Sequence, residues 1–283
     1  MTIRTILAHL NGGDGDVAVL NAAYAVARRF EAHIDVLAVQ PAAGTAAAVL
    51  THGMFLSLGG HIIQNVEQMA REGIRRALHS FRDWKALIDA EKPRFPGVVA
   101  WHLVEGDPDA VLVRFGQVAD LVVIGGAEAD QTSRVPAAAE AALFGTARGV
   151  LLVPSGTVLD LAKPMIVAWN GSIEATRALA AALPLLRLAP RVIVFAAGPS
   201  LPASAPVDRV AAYLERHGVV AESVHHDSEG SNVANELLQL ATGVGAGLVV
   251  LGAFTHGRMR QMLLGGVTRN MLANVSIPIL MAH

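Results

Sequence analysis

One pattern of apolar runs occurs twice in this chain, in the same order, and that repeat narrows the possible folds more than any other feature. Ile6-Leu7-Ala8-His9-Leu10-Asn11-Gly12-Gly13 aligns without a gap with Met165-Ile166-Val167-Ala168-Trp169-Asn170-Gly171-Ser172, each an apolar run that stops at Asn-Gly. Asp120 to Gly126 matches Gly247 to Ala253, and Gly149 to Val153 matches Pro278 to Ala282. Short β-branched runs of this kind suit strands buried on both faces. Between them, Ala18–Phe30 and Glu174–Leu186 place Ala and Leu at helical spacing beside arginines. Alternation of strand and helix implies an α/β fold on a parallel sheet.

Five strands are expected per half; in the second they fall near Met165–Trp169, Arg191–Ala197, Val219–Val224, Leu248–Gly252 and Ile277–Met281. Pro154 to Lys163 reads as the linker, dividing the chain into domains 1–157 and 158–283. Two cores need apolar material, and 53% hydrophobic against 16% charged residues supplies it. The halves differ in one insertion: Ala42 to Gly60, with Met54, Phe55, Leu56 and Leu58, precedes a long helix expected from His61 to about Ile88. That apolar cluster reads as an interface element rather than an exposed loop.

A formal charge of -2, with scattered arginines and no basic run, argues against nucleic acid as a partner. The absence of cysteine removes disulfides, thiolate metal sites and cysteine nucleophiles together. The first eleven residues lack the features of an export signal, and every apolar stretch is interrupted well before the ~20 residues that cross a bilayer. A soluble cytoplasmic protein with no membrane partner is expected.

Chemistry is best sought after the fourth strand of the second half, because ligands of parallel sheets settle at strand carboxyl ends where strand order reverses. There the chain reads Gly252-Ala253-Phe254-Thr255-His256-Gly257-Arg258-Met259-Arg260, then reaches Gly265-Gly266-Val267-Thr268 at the start of a helical stretch. The first amides of a helix have no internal partner, and glycine lets an anion approach them. Arg258 and Arg260 add positive charge.

These residues resemble the universal stress proteins, in their tandem form with two domains per chain, over nearly the whole sequence. Nucleotide-binding members of that family carry Gly, two residues, Gly, nine residues, then Gly followed by Ser or Thr. Here the frame is Gly252, two residues, Thr255, nine residues, Gly265, Gly266. Thr255 is a β-branched residue where the pattern has glycine, with Gly257 nearby to relocate the turn, and Gly266 lacks the hydroxyl, for which Thr268 is a substitute. The resemblance further implies that Asn170, with Gly171 and Ser172, stands where an acidic residue reads adenine or ribose, and that Ala197 contacts adenine. Val267 would offer its amide. The implied ligand is ATP, ADP or AMP, with or without Mg, held by the second half.

The same resemblance implies two tandem doubly wound domains, each a five-stranded parallel sheet of order 3-2-1-4-5, with the fifth strands meeting across a pseudo-twofold axis. A homodimer of chains is expected as well. In the first half Glu128 and Asp130 follow Gly125-Gly126 and no paired glycines precede the last helix, so at most one nucleotide per chain is expected.

No pair of carboxylates flanks the glycine loop and no Walker lysine follows it. Sensing or slow turnover therefore suits the site better than fast hydrolysis. The alternative is a nucleotide-free dimeric interaction protein whose site has decayed. Asn11 to Asp16 is also similar to the strand-one phosphate loop of ATP pyrophosphatases, but Asn-Gly and Asp-Gly favour a plain turn, with Asp16 as helix cap. Ser172 suits a helix cap better than a nucleophile, and Trp169 and Phe254 suit core filling better than base stacking. His225 and His226, adjacent on a strand, point to opposite faces and make a poor metal pair. His9 reads as an ordinary packed or solvated histidine.

Overall fold

The buried apolar runs become the strands of one sheet. A computed structural model describes residues 2–42, 59–91, 95–126, 136–197, 207–226, 232–253 and 277–283. The first half contributes β1 (Thr5–His9), β2 (His33–Pro41), β3 (Val99–Gly106), β4 (Leu121–Gly125) and β5 (Gly149–Val153). Its helices are α1 (Asp16–Phe30), α2 (Gly59–Ala90), α3 (Pro108–Gly116) and α4 (Ala137–Gly145). The second half contributes β6 (Met165–Ala168), β7 (Val192–Ala197), β8 (Ala221–His226), β9 (Leu248–Gly252) and β10 (Ile279–Ala282). Its described helices are α5 (Ile173–Leu186), α6 (Val207–Arg216) and α7 (Asn232–Gly243).

Strand order is β3-β2-β1-β4-β5-β10-β9-β6-β7-β8, so each half has the expected order 3-2-1-4-5 and the two run together as one ten-stranded sheet. Every pairing within a half is parallel; β5 and β10 pair antiparallel, Leu152 with Ile279, Leu151 with Leu280 and Val150 with Met281. By the sequence alignment Leu151 and Leu280 are the same position of the repeat. The pseudo-twofold axis therefore passes through that pair, and both leucines are fully buried. Because the halves run in opposite directions, the carboxyl ends of their strands open on opposite edges of the sheet.

Each face of the sheet carries one apolar layer that crosses both halves. Ala18 and Val19 of α1, Ala77, Trp84 and Ile88 of α2, Leu179 of α5 and Leu214 of α6 share one layer. Leu112 of α3, Leu143 of α4 and Leu237 of α7 share the other. Strands so covered on both sides have no need of polar alternation, which is why β4, β5 and β9 read as unbroken apolar runs.

Several boundaries differ from the sequence expectation: β10 spans Ile279–Ala282 rather than the expected Ile277–Met281, and β8 ends at His226 rather than Val224. β8 begins at Ala221 rather than Val219, because Gly218 adopts φ +78° and the Val219 amide closes back onto the Leu214 carbonyl. The inserted helix runs Gly59–Ala90, two residues longer at each end than expected. Asp16 does not cap α1: Gly15 is the cap residue, and Asp16 is the first helical residue. Its carboxylate turns back to accept the Asn11 amide at 3.1 Å and the Gly12 amide at 2.9 Å. The apolar cluster Met54, Phe55, Leu56 and Leu58 lies outside the described residues.

Candidate functional site

Strand register brings together the sequence-expected residues of the second half that are described. Ala168 at the end of β6 pairs with Phe195 of β7 and with Leu251 of β9. Two residues past Ala168 comes Asn170, two past Phe195 comes Ala197, and one past Leu251 comes Gly252. All three therefore stand at the carboxyl edge of adjacent strands, at the point where the sheet order reverses.

Gly252 packs directly on the first turn of α5. A Cβ at that position would lie 2.5 Å from the Ala175 nitrogen and 2.8 Å from the Glu174 carbonyl carbon, so no larger residue fits without moving backbone. Asn170 and Gly171 form a tight turn: the Asn170 side-chain oxygen accepts the Ser172 amide at 3.1 Å, and Gly171 adopts φ +75°. Ser172 is the cap of α5, its hydroxyl accepting the Ala175 amide at 3.0 Å. Among the described residues the Asn170 side-chain nitrogen has no partner. Thr255, Gly257, Arg258, Gly265, Gly266, Val267 and Thr268 lie outside the described residues, as do Glu128 and Asp130 of the first half.

The corresponding mouth of the first half is built from the same parts with different contents. Asn11 repeats the turn, its side-chain oxygen accepting the Gly13 amide at 2.8 Å, with Gly12 at φ +79°. The Gly12 backbone rests on that of Gly73 in α2, where an added Cβ would come within 2.1 Å of the Gly73 carbonyl oxygen. That packing is a turn and not a phosphate cradle. His9, Asn11, Asp16, Gly125, Pro136 and Ser155 line a cavity of about 90 Å³. It has room for a few waters and falls well short of the roughly 300 Å³ of a small-molecule pocket.

Sequence reasoning missed the weight of Asp16 and His9. Asp16 is only 2% exposed and spends its charge on two backbone amides beside the N-terminus of α1. His9 is partly exposed and lines the cavity, and burial pushes its pKa down to about 4. Among the described residues its ring has no hydrogen-bond partner. The available signal was the repeat itself, which sets His9 against Ala168.

The low pKa gives a measurable consequence. Between about pH 6.5 and pH 4 the unfolded chain binds a proton at His9 that the folded chain refuses, so stability is whole above that window and falls as pH drops through it. A shift of this size corresponds to about 3 kcal/mol for a dry ring, and roughly 2 kcal/mol is expected for one that opens onto a cavity. Urea midpoints measured from pH 7.5 to pH 4 should fall less steeply in His9→Gln than in the parent chain.

Candidate metal ligands do not assemble among the described residues: no group of three or more His, Asp or Glu comes together. His226 instead pairs with Glu236 at 2.9 Å. No described helix is long and apolar enough to cross a membrane.

An open parallel sheet, entered at strand carboxyl ends and repeated about a pseudo-twofold axis, defines a tandem doubly wound α/β protein. Comparison with known proteins agrees. Residues 162–283 match the model of the universal stress protein family. A universal stress protein from Archaeoglobus fulgidus DSM 4304 shares the fold with TM-score 0.67 and 15% identity, over 98% of this chain and 97% of its own. A protein of unknown function from Pseudomonas aeruginosa PAO1 aligns with TM-score 0.57 and 12% identity, over 98% and 92%. The cytoplasmic domain of a prokaryotic cation chloride cotransporter aligns at 0.52 and 9%, over 100% and 96%. Among curated proteins none matches in sequence. Residues 162–283 are therefore similar to the universal stress protein family, and the doubly wound fold occurs in both halves.

Proposed function

We propose that the second half, residues 158–283, binds an adenine nucleotide at the carboxyl ends of β6, β7 and β9, and uses it for sensing or slow turnover. The observation that carries this reading is the bareness of that edge. Ala168, Ala197 and Gly252 end three adjacent strands without bulk, Gly252 lies against the N-terminal turn of α5, and the glycine-framed loop follows directly in sequence. Small residues there leave backbone edges and a flat apolar floor available to a planar base, while helix N-termini favour phosphate. Asn170 can present its side-chain amide to the base or ribose, since its oxygen alone is used by the turn.

Calorimetry with ATP, ADP and AMP, with and without magnesium, tests the reading. Heat that disappears in Gly265→Asp is the expected result, because a carboxylate would fill the anion position. No binding at millimolar nucleotide would reject the site.

One observation favours a second reading, a nucleotide-free interaction protein. The Asn170 oxygen and the Ser172 hydroxyl are both satisfied within the turn and cap, as their counterpart Asn11 is in the first half, so the loop holds its shape with no ligand. That reading predicts protein purified without nucleotide and indifferent to it, and self-association as a dimer through an apolar surface.

A further inference from the structure

The two halves place different residues at one structural position. His9 pairs with Leu37 and Ile124; Ala168 pairs with Phe195 and Leu251, the equivalent strands of the other half. Counting on from those pairs, the register positions at the first mouth are His9, Val39 and Gly125, with β2 running on to Pro41, and those at the second are Ala168, Ala197 and Gly252. Both His9 and Ala168 occupy the strand face that bears α3 and α4 in one half and α7 in the other, by alternation from Leu7 and Ile166.

We infer that this position decides which half admits a planar heteroaromatic ring: the His9 imidazole closes the first mouth, and Ala168 leaves the second open. The inference rests, for the second half only, on the nucleotide reading above. His9 lines the first cavity together with Asn11 and Gly125, beside the ends of β1 and β4 where a base would need room for its own ring. Two rings cannot share that space, because aromatic atoms in contact stay about 3.5 Å apart. At the register position of the half-buried Ala197, the first half has the bulkier Val39, only 8% exposed, and β2 extends two residues beyond it. Asp16 reinforces the closure by placing a carboxylate on the cavity wall, where a phosphate would meet like charge. His9 thus acts as a built-in occupant, an imidazole supplied by the chain itself.

Two variants of the full chain test this at pH 8. His9→Ala should leave an imidazole-shaped hole. Its melting temperature should rise with millimolar free imidazole by a few degrees in a dose-dependent way, as ligand linkage requires. The parent chain and His9→Gln should show no such response. If His9→Ala is unfolded alone, recovery of a melting transition on adding imidazole is the same positive result. Equal responses in His9→Ala and the parent chain would overturn the inference for the first half. In the second half, Ala168→His should weaken ATP binding roughly tenfold or more with the melting temperature little changed; parent-like ATP affinity would overturn it there. Should the parent chain bind no ATP, the nucleotide reading fails, and the imidazole arm alone still decides whether His9 is a plug.

Discussion

Gly12→Ala is expected to destabilise the protein by about 3–4 kcal/mol and lower its melting temperature by roughly 10 °C. Two costs combine at that position. Gly12 sits at φ +79°, a left-handed conformation that costs an alanine about 1–2 kcal/mol. Its Cα also faces the backbone of Gly73, and an added Cβ would fall 2.1 Å from that carbonyl oxygen, so α2 must move away from the strand-one turn. Overpacking of that kind typically adds about 1–3 kcal/mol. Gly156 supplies the control: it has a similar φ of +72° with nothing within 4 Å, so Gly156→Ala should cost only about 1 kcal/mol. Thermal melts followed by circular dichroism separate the two. Equal losses for the two substitutions would mean that the contact between α2 and the turn contributes nothing.

Asp16→Ala should cost about 3 kcal/mol, because it removes the shared acceptor of two backbone amides, one of them buried. Asp16→Asn keeps one carbonyl oxygen and should recover about half of that loss. The effect should be confined to the first half, since residue 173, which opens α5 in the corresponding place, is an isoleucine that is 66% exposed. Amide hydrogen exchange would show this as faster exchange near Asn11 and Gly12 with residues 170–172 unchanged. A loss below 1 kcal/mol in urea unfolding would show that the turn is held by the Asn11 side chain and Gly73 instead.

These two positions mark how far the sequence could be read. The repeat and the strand runs were legible because burial on both faces of a parallel sheet leaves a continuous apolar signature, and β6, β7 and β9 lie within a residue of their expected limits. The glycines and the Asn-Gly turns were legible as local conformations, since a left-handed residue leaves its mark on residue choice. Asp16 was read as a cap because a cap is the local use of an aspartate ahead of a helix. Its actual partners are set by two extra residues in the first turn, which swing the carboxylate back under Asn11 and Gly12.

The sequence alone determined that the chain is two copies of an α/β unit, that each copy has a parallel core, and that the copies differ in their loops. Local propensity and apolar periodicity suffice for that, because they act within a few residues along the chain. Only the tertiary structure decided that the fifth strands, expected to meet, pair antiparallel in the register that sets Leu151 against Leu280, so that the mouths open on opposite edges. It also decided that Gly73 bears on Gly12 and that His9 lines the first cavity together with Asn11 and Asp16. Each of these depends on groups dozens of residues apart meeting at van der Waals distance, and close packing of that kind leaves no periodic trace in the chain.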